Sequence, residues 1–269
     1  MKLLPKNTTE LQKMRAAGKL AAQVLDAITP QVQAGISTLE LNDAMEKMMR
    51  DAGAIPATVG YKGYPKASCI SLNDVVCHGI PSSSEILKNG DILNIDVTVI
   101  LGGFHGDTSR MFTVGTVNPQ AQRLIEITYH AMMSGIATIK SGSKLDDIGN
   151  AIEATCAPHG YGIVREYCGH GLGKKFHEDP MVLHYANHQF PSVRLKKGLT
   201  FTVEPMVNIG TWRTQLMPDG WTVKTADGTL SAQFEHTLAV TEAGAEILTA
   251  SPAGFTFPPY SPNPRTLES

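Results

Sequence analysis

Five residues in this chain have the types and spacing for metal chemistry, and two of them fall on one hairpin. Leu93, Ile95, Val97 and Val99 alternate with Ile92, Asn94, Asp96 and Thr98, the period-2 pattern of a strand with one mixed-polarity face, and Gly102-Gly103 supplies a turn. Centring that turn on Leu101-Gly102 sets Asp96 opposite Asp107, where like charges repel. A shared proton or a bound cation relieves the repulsion; a shifted turn with one aspartate solvated is the plainer alternative. Glu204 and Glu235 recur at corresponding places on later strands. Four carboxylates brought together cannot all stay ionised in a partly buried site without divalent metal. An all-oxygen set suits Mg²⁺, Ca²⁺ or Mn²⁺, and one imidazole shifts the balance towards Mn, Fe, Co or Zn. His170, flanked by glycines in Cys168-Gly169-His170-Gly171-Leu172-Gly173, is the best candidate for that nitrogen. Two metals sharing carboxylates would acidify a bridging water and clamp a reacting carbonyl.

The elements that must position these groups come in two rounds. Asn7 with Glu10 and Ser37 with Glu40 are capping boxes, opening an amphipathic helix that stops at Pro30 and a second helix that ends at Gly53. Short strands punctuated by Gly and Pro run from about Ala57 to Val117. Asn118-Pro119 then opens a long helix to about Ile139, and the segment from Ser143 to Asp146 caps a shorter one closing near Gly160. An offset of about 107 residues lays Gly53 on Gly160 and Glu46 on Glu153, and about 108 lays Asp96 on Glu204. Helix–loop–helix–strands is therefore used twice, in halves of about 7–117 and 118–250 within one domain, 1–250. A Pro-rich tail, 251–269, follows, ordered by docking or loose.

Bulk properties narrow the class. With 269 residues, 42% hydrophobic and 18% charged, the chain can bury a substantial core. A net charge of −2 gives no electrostatic case for nucleic acid or an anionic membrane. No apolar run reaches membrane-spanning length, and four cysteines without CxxC or zinc-finger spacing read as reduced thiols in a cytoplasmic protein. His177-Glu178 is no zincin motif, since Met181 stands where the second histidine belongs and Pro180 breaks the helix. For His105, His130, His159, His184, His188 and His236 the expectation is a surface or local hydrogen-bonding role.

Asn94-Ile95-Asp96-Val97-Thr98, Gly103-Phe104-His105-Gly106-Asp107-Thr108-Ser109, Cys168 to Gly173, Phe201-Thr202-Val203-Glu204-Pro205-Met206 and Ser231 to Thr237 look like the signature segments of type I methionine aminopeptidases. The resemblance runs from about Asn7 to Thr249, in order, and the start directly at the first helix resembles the short bacterial form. It implies an α+β pita-bread (creatinase/aminopeptidase) fold, two pseudo-twofold-related α/β halves around a central antiparallel sheet. It further implies two divalent metals (Co, Mn, Fe or Zn): Asp107, His170, Glu204 and Glu235 would hold one, and Asp96, Asp107 and Glu235 the other. A metal-bridging hydroxide would attack the carbonyl after an initiator methionine whose next residue is small. Glu204 would be the general base, His177 would stabilise the tetrahedral intermediate and His78 would bind the peptide beyond the scissile bond. The methionine pocket would comprise Tyr61, Tyr64, Cys69, His78, Phe176 and Trp221, with His177 also binding substrate and Thr58 where many family members have a cysteine. A monovalent cation would sit near Asn73 and Ser231. The implied partners are nascent polypeptide N-termini at the ribosome, with no direct sequence evidence for nucleic-acid binding, no membrane bound and a monomeric enzyme. The Thr211-Trp212-Arg213 region carries few lysines for ribosome docking. Two alternatives from other classes are an X-Pro aminopeptidase or prolidase, which usually carries an additional N-terminal domain, and a non-catalytic binding relative, which would lose metal ligands.

Overall fold

The computed structural model describes residues 3–187 and 192–260. His188 and the tail beyond 260 lie outside the described residues. Both expected capping boxes are present: Asn7 and Ser37 accept from the backbone N–H of Glu10 and Glu40, whose carboxylates return to the cap backbone. They open α1 (Thr8–Ile28) and α2 (Thr38–Asp51). Asn118 caps α3 (Pro119–Ala137) by accepting from Ala121 N–H, with proline in the first turn. The fourth helix departs from expectation. α4 (Asp146–Cys156) follows Leu145 and has no side-chain cap. The Ser143 hydroxyl turns back to the Lys140 carbonyl instead, and the segment is held by backbone bonds from Leu145 to Val193 and from Leu195 to Ser143.

All these helices serve one curled antiparallel sheet of nine strands. Its main path runs Ile55–Pro56, Ile92–Leu101, Phe104–Thr113, Glu235–Val240, Thr200–Val203, Gly169–Gly171 and Glu178–Val182. The halves meet where Phe104–Thr113 pairs with Glu235–Val240, through Glu235↔Ser109 and His236↔Thr108. The strand order across that seam is symmetric: the strand bearing Asp96 lies outside that of Asp107, and the strand bearing Thr202, whose chain continues into Glu204, lies outside that of Glu235. Leu93, Ile95, Val97 and Val99 pack with α1 and α2 in one core, while Phe201, Val203 and Leu238 pack with α3 and α4 in another. The alternate residues are thereby turned to the opposite face. α1 comes close because it presents Ala17, Gly18, Ala21 and Ala22 to the hairpin, where Gly106 lies against the Ala17–Gly18 backbone.

The hairpin register corrects the expected one. Gly102 and Gly103 have φ of 58° and 80° and form a two-residue turn between paired Leu101 and Phe104. Two central residues at positive φ match the strands' own twist, which selects this turn over one centred on Leu101-Gly102. Asp96 therefore faces Ser109, and Asp107 faces Thr98. The shift is by an even number of residues, so both aspartates stay on one face, as diagonal neighbours. Ser109 pairs with Asp96 on one side and Glu235 on the other, a row of three residues across the seam.

Part of the tail is ordered by docking. Asp26 accepts from Ser251 Oγ and Ala253 N–H, and the Tyr260 hydroxyl donates to the Met111 carbonyl at 2.6 Å.

Candidate active site

The face opposite the helices encloses a cavity of about 290 Å³. Every candidate divalent-metal ligand and substrate-binding residue lines it: Asp96, Asp107, His170, Glu204 and Glu235, and also Tyr61, Tyr64, Cys69, His78, Phe176, His177 and Trp221.

At the seam each half holds a carboxylate-bearing residue of the other. The Thr237 hydroxyl donates to the Asp107 carbonyl and accepts from its N–H, and the Thr108 hydroxyl donates to the Glu235 carbonyl at 2.8 Å. Potential ligand atoms of Asp107, His170 and Glu235 lie within 4.8 Å of one another. Glu204 Oε1 stands 3.7 Å and Asp107 Oδ2 3.6 Å from His170 Nε2. Asp96 borders the same space.

Asp107 and Glu204 are each held on some lone pairs and left open on others. Asp107 Oδ1 accepts from Thr98 Oγ1 at 2.6 Å, and Glu204 accepts from Thr202 Oγ1 at 2.6 Å and Gln233 Nε2 at 3.3 Å. Asp96 Oδ1 is buried with no hydrogen-bond partner. Burial comes first among the causes that push Asp96, Asp107, Glu204 and Glu235 above the usual carboxylate range, and repulsion from neighbouring acids reinforces it at Asp96, Glu204 and Glu235. The imidazole complements them. His170 Nδ1 lies 3.1 Å from the Gly171 carbonyl, so Nδ1 carries the hydrogen and Nε2 turns a lone pair to the acids. Burial pushes its pKa down to about 4, which keeps the ring neutral as a metal ligand requires. An orphaned buried acceptor, several clustered acids and a neutral imidazole fit divalent metal and leave little else that would settle the charge.

Around this centre the pocket is aromatic. Tyr61 packs on Phe176 (4.8 Å between centroids) and on His177 (5.2 Å), and its hydroxyl lies 2.8 Å from His177 Nδ1. Trp221 meets Tyr64 and His78 edge-on. His78 holds φ of 57°, an uncommon value for a residue with a Cβ, ahead of Gly79, which lies against the Ile70 carbonyl. Desolvation takes His78 to about 4 and His177 to about 3, so both rings are neutral near pH 7. Burial first, and the Asp96 charge second, push the Cys69 thiol up, which makes it a wall rather than a nucleophile. Thr58 also lines the cavity, its hydroxyl donating to the Lys66 carbonyl.

Several contributors were not read from sequence. Lys62, Glu166, Tyr167, Cys168 and Met206 line the cavity too. Thr98 and Thr202 could have been found, because each lies two residues from an acid on an alternating stretch. Gln233 could not, since only the strand pairing brings it to Glu204. His105 and His184 are buried rather than on the surface, and both make hydrogen bonds: His105 with the Gly173 carbonyl, His184 accepting at Nε2 from Glu204 N–H. His236 is partly buried and bonds Thr249 Oγ1. Near Asn73 (φ 51°), whose carbonyl accepts from Ser231 N–H, the buried Ser231 Oγ and Asn208 Oδ1 lack partners.

No helix among the described residues is long and apolar enough to cross a membrane. Metallopeptidase family M24 matches residues 12–242. The chain is 52% identical to methionine aminopeptidase A of Synechocystis sp., over 89% of this chain and 94% of that one. It is 51% identical to methionine aminopeptidase of Escherichia coli, over 91% and 92% of the two chains. The crystal structure of methionine aminopeptidase from Rickettsia prowazekii superposes with a TM-score of 0.90 at 51% identity, covering 92% of this chain and 100% of that one. An Xaa-Pro dipeptidase from Bacillus anthracis, at 22% identity and a TM-score of 0.73, shares the fold. Pita-bread architecture, sequence and cavity agree: the chain belongs to metallopeptidase family M24 and, within it, to the type I methionine aminopeptidases.

Proposed function

We propose that this chain removes the N-terminal methionine from nascent polypeptides whose second residue is small, acting as a monomer in the cytoplasm, at the ribosome. The observation that carries the reading is the orphaned Asp96 oxygen beside Asp107, His170, Glu204 and Glu235, set against an aromatic pocket with a sulfur wall. Asp96, Asp107 and Glu235 would hold one divalent ion and Asp107, His170, Glu204 and Glu235 a second, drawn from Co, Mn, Fe or Zn. Bound metal supplies positive charge that acidifies a water and polarises the scissile carbonyl.

The chain's own residues do the rest. Tyr64, Cys69, His78, Phe176 and Trp221 enclose the unbranched methionine side chain, for which polarizable thioether–aromatic contacts suit. Glu204, as carboxylate, accepts the attacking water's proton and returns it to the leaving nitrogen; Thr202 and Gln233 fix its rotamer. Tyr61 O–H donating to His177 Nδ1 leaves Nε2–H free to donate to the carbonyl oxygen as it gains charge. His78, neutral and buried, bonds the peptide beyond the scissile bond. Beside Asn73, Ser231 Oγ would help hold a monovalent cation.

The test is cleavage of Met-Ala-Ser, Leu-Ala-Ser and Ala-Pro peptides by protein reconstituted with Mn²⁺, Fe²⁺, Co²⁺ or Zn²⁺, with a chelator control. Metal-dependent preference for Met-Ala-Ser is expected. Preference for the proline peptide, or cleavage insensitive to chelator, would overturn the assignment.

A further inference from the structure

The turn that brings Phe176 and His177 into the cavity is held from beneath by a residue at the other end of the chain. Glu178 begins a strand that pairs with Gly171 and uses both carboxylate oxygens. Oε1 accepts from Lys175 N–H at 3.1 Å, which closes the turn, and Gly173 N–H donates to the Lys175 carbonyl. Oε2 accepts from Lys6 Nζ at 2.6 Å, with the two side chains only 8% and 14% exposed. Lys6 is itself fixed, since it immediately precedes the α1 cap and its N–H donates to the Gly198 carbonyl at 2.7 Å. A Cβ at Gly173 would stand 2.7 Å from Lys6 Nζ, so the ammonium passes close under the turn.

A largely buried ion pair adds little net stability over an apolar pair of the same shape, because desolvation offsets the attraction. What this pair does supply is geometry. One carboxylate joins the N-terminal segment to the turn, and His177 is the residue immediately before Glu178. Its ring lies 4.0 Å from that of His170, centroid to centroid, and 2.8 Å separates its Nδ1 from the Tyr61 hydroxyl. Neither placement survives a sliding turn. We infer that Lys6 is a positioning residue that acts through Glu178 to hold the His177 ring at the reacting carbonyl, an inference resting on the role proposed for His177 above.

The experiment compares wild type, Lys6→Arg, the pair Lys6→Met with Glu178→Gln, His177→Ala, and the triple variant. The paired substitution leaves no orphaned charge, so it folds and its melting temperature stays close to wild type. A misplacement of about 1 Å can cost about a hundredfold in rate, and a loss of about tenfold in kcat on Met-Ala-Ser with little change in KM is expected for the pair. Lys6→Arg keeps most of kcat. In the His177→Ala background the pair costs less than about twofold more, because the group it positions is gone. In metal-free protein the His177 ring resonance, assigned by its absence from His177→Ala, moves in the paired variant and stays in Lys6→Arg. Wild-type kcat in the folded pair, full additivity with His177→Ala, or an unmoved ring resonance overturns the inference. An active His177→Ala instead overturns the role of His177, and the resonance still decides whether Lys6 positions that ring.

Discussion

Asp107→Asn is expected to make the metal-free protein more stable and the metal-supplied protein inactive. Asp107 is 3% exposed, its Oδ1 accepts from Thr98, and its potential ligand atom lies within 4.8 Å of those of His170 and Glu235. The asparagine carbonyl can keep the Thr98 bond, and its amide can face Glu235 as a donor. At an effective dielectric constant near 20, two unit charges at that separation cost about 3 kcal/mol, which is the repulsion the substitution relieves once both acids are ionised. The pH dependence has a definite sign. Carboxylates raised above their unfolded values bind more protons in the native state, so the metal-free wild type loses stability as pH rises from the unfolded range through the folded pKa values. The variant's advantage is therefore largest near pH 8.5, at about 5–10 °C in melting temperature for a chain of this size, and shrinks towards pH 5. Metal reverses the order. At a hundredfold excess over its dissociation constant an ion adds about 3 kcal/mol to the wild type, whereas the variant, short of the carboxylate proposed to bridge, is expected to gain little. Thermal unfolding in chelator and in Mn²⁺ at both pH values reads all four numbers. A variant less stable than wild type in chelator at pH 8.5, or one stabilised by Mn²⁺ as strongly as wild type, refutes the reasoning.

Three further outcomes follow from other parts of the structure. Gly106→Ala places a Cβ 2.5 Å from the Gly18 nitrogen and 2.6 Å from the Ala17 carbonyl oxygen, so α1 must move; a loss of about 3 kcal/mol is expected in urea unfolding, with reduced activity because Asp107 is the next residue. The acid limb of activity reports protons competing with metal for the raised carboxylates, since His78 and His177 titrate at about 4 and 3; its midpoint is expected to fall when free metal is raised tenfold, and a midpoint indifferent to metal contradicts this. Deleting residues 252–269 removes the Ala253 bond to Asp26, the Tyr260 bond to Met111 and the Tyr260 ring on Phe112; about 2 kcal/mol of stability is expected to go, with kcat unchanged because none of these residues lines the cavity.

The parts of the site that were legible in sequence are those that follow from local periodicity and from the repeat. Alternation along residues 92–99 put Asn94, Asp96 and Thr98 on one face whatever the turn did, because an error of two in the pairing leaves the face unchanged. The pairing itself differs, since Gly102 and Gly103 both sit at the centre of the turn, where two residues at positive φ belong, and centring it on Leu101-Gly102 overlooks that preference. Ser143 looked like a helix cap until the backbone bonds of 143–145 to 193–195 claimed that segment, a long-range choice invisible locally. His105 and His184 were expected at the surface or in local bonds. Their burial follows from the carbonyl of Gly173 and the N–H of Glu204, groups 68 and 20 residues away. Lys6 drew no notice, because a lysine ahead of a helix cap is ordinary until its partner 172 residues on is known.

The seam explains why a duplicated half is needed at all. One half supplies two acids on a hairpin, diagonal to each other, a pair that a single shared proton would settle. The second half brings Glu235 beside Ser109 and Glu204 beside His170, and burial then raises the cost of every charge. Thr108 and Thr237 hold the opposing acid's backbone across the seam, so neither Asp107 nor Glu235 can retreat into solvent to escape the repulsion. Folding thus concentrates acidic groups at the seam, and an ion bound by Asp107 and Glu235 together would draw on both halves. Metal held there would be both a reagent and a cross-link between the halves. The same substitution that removes the reagent also removes the need for the cross-link, and for that reason Asp107→Asn is expected to part stability from activity.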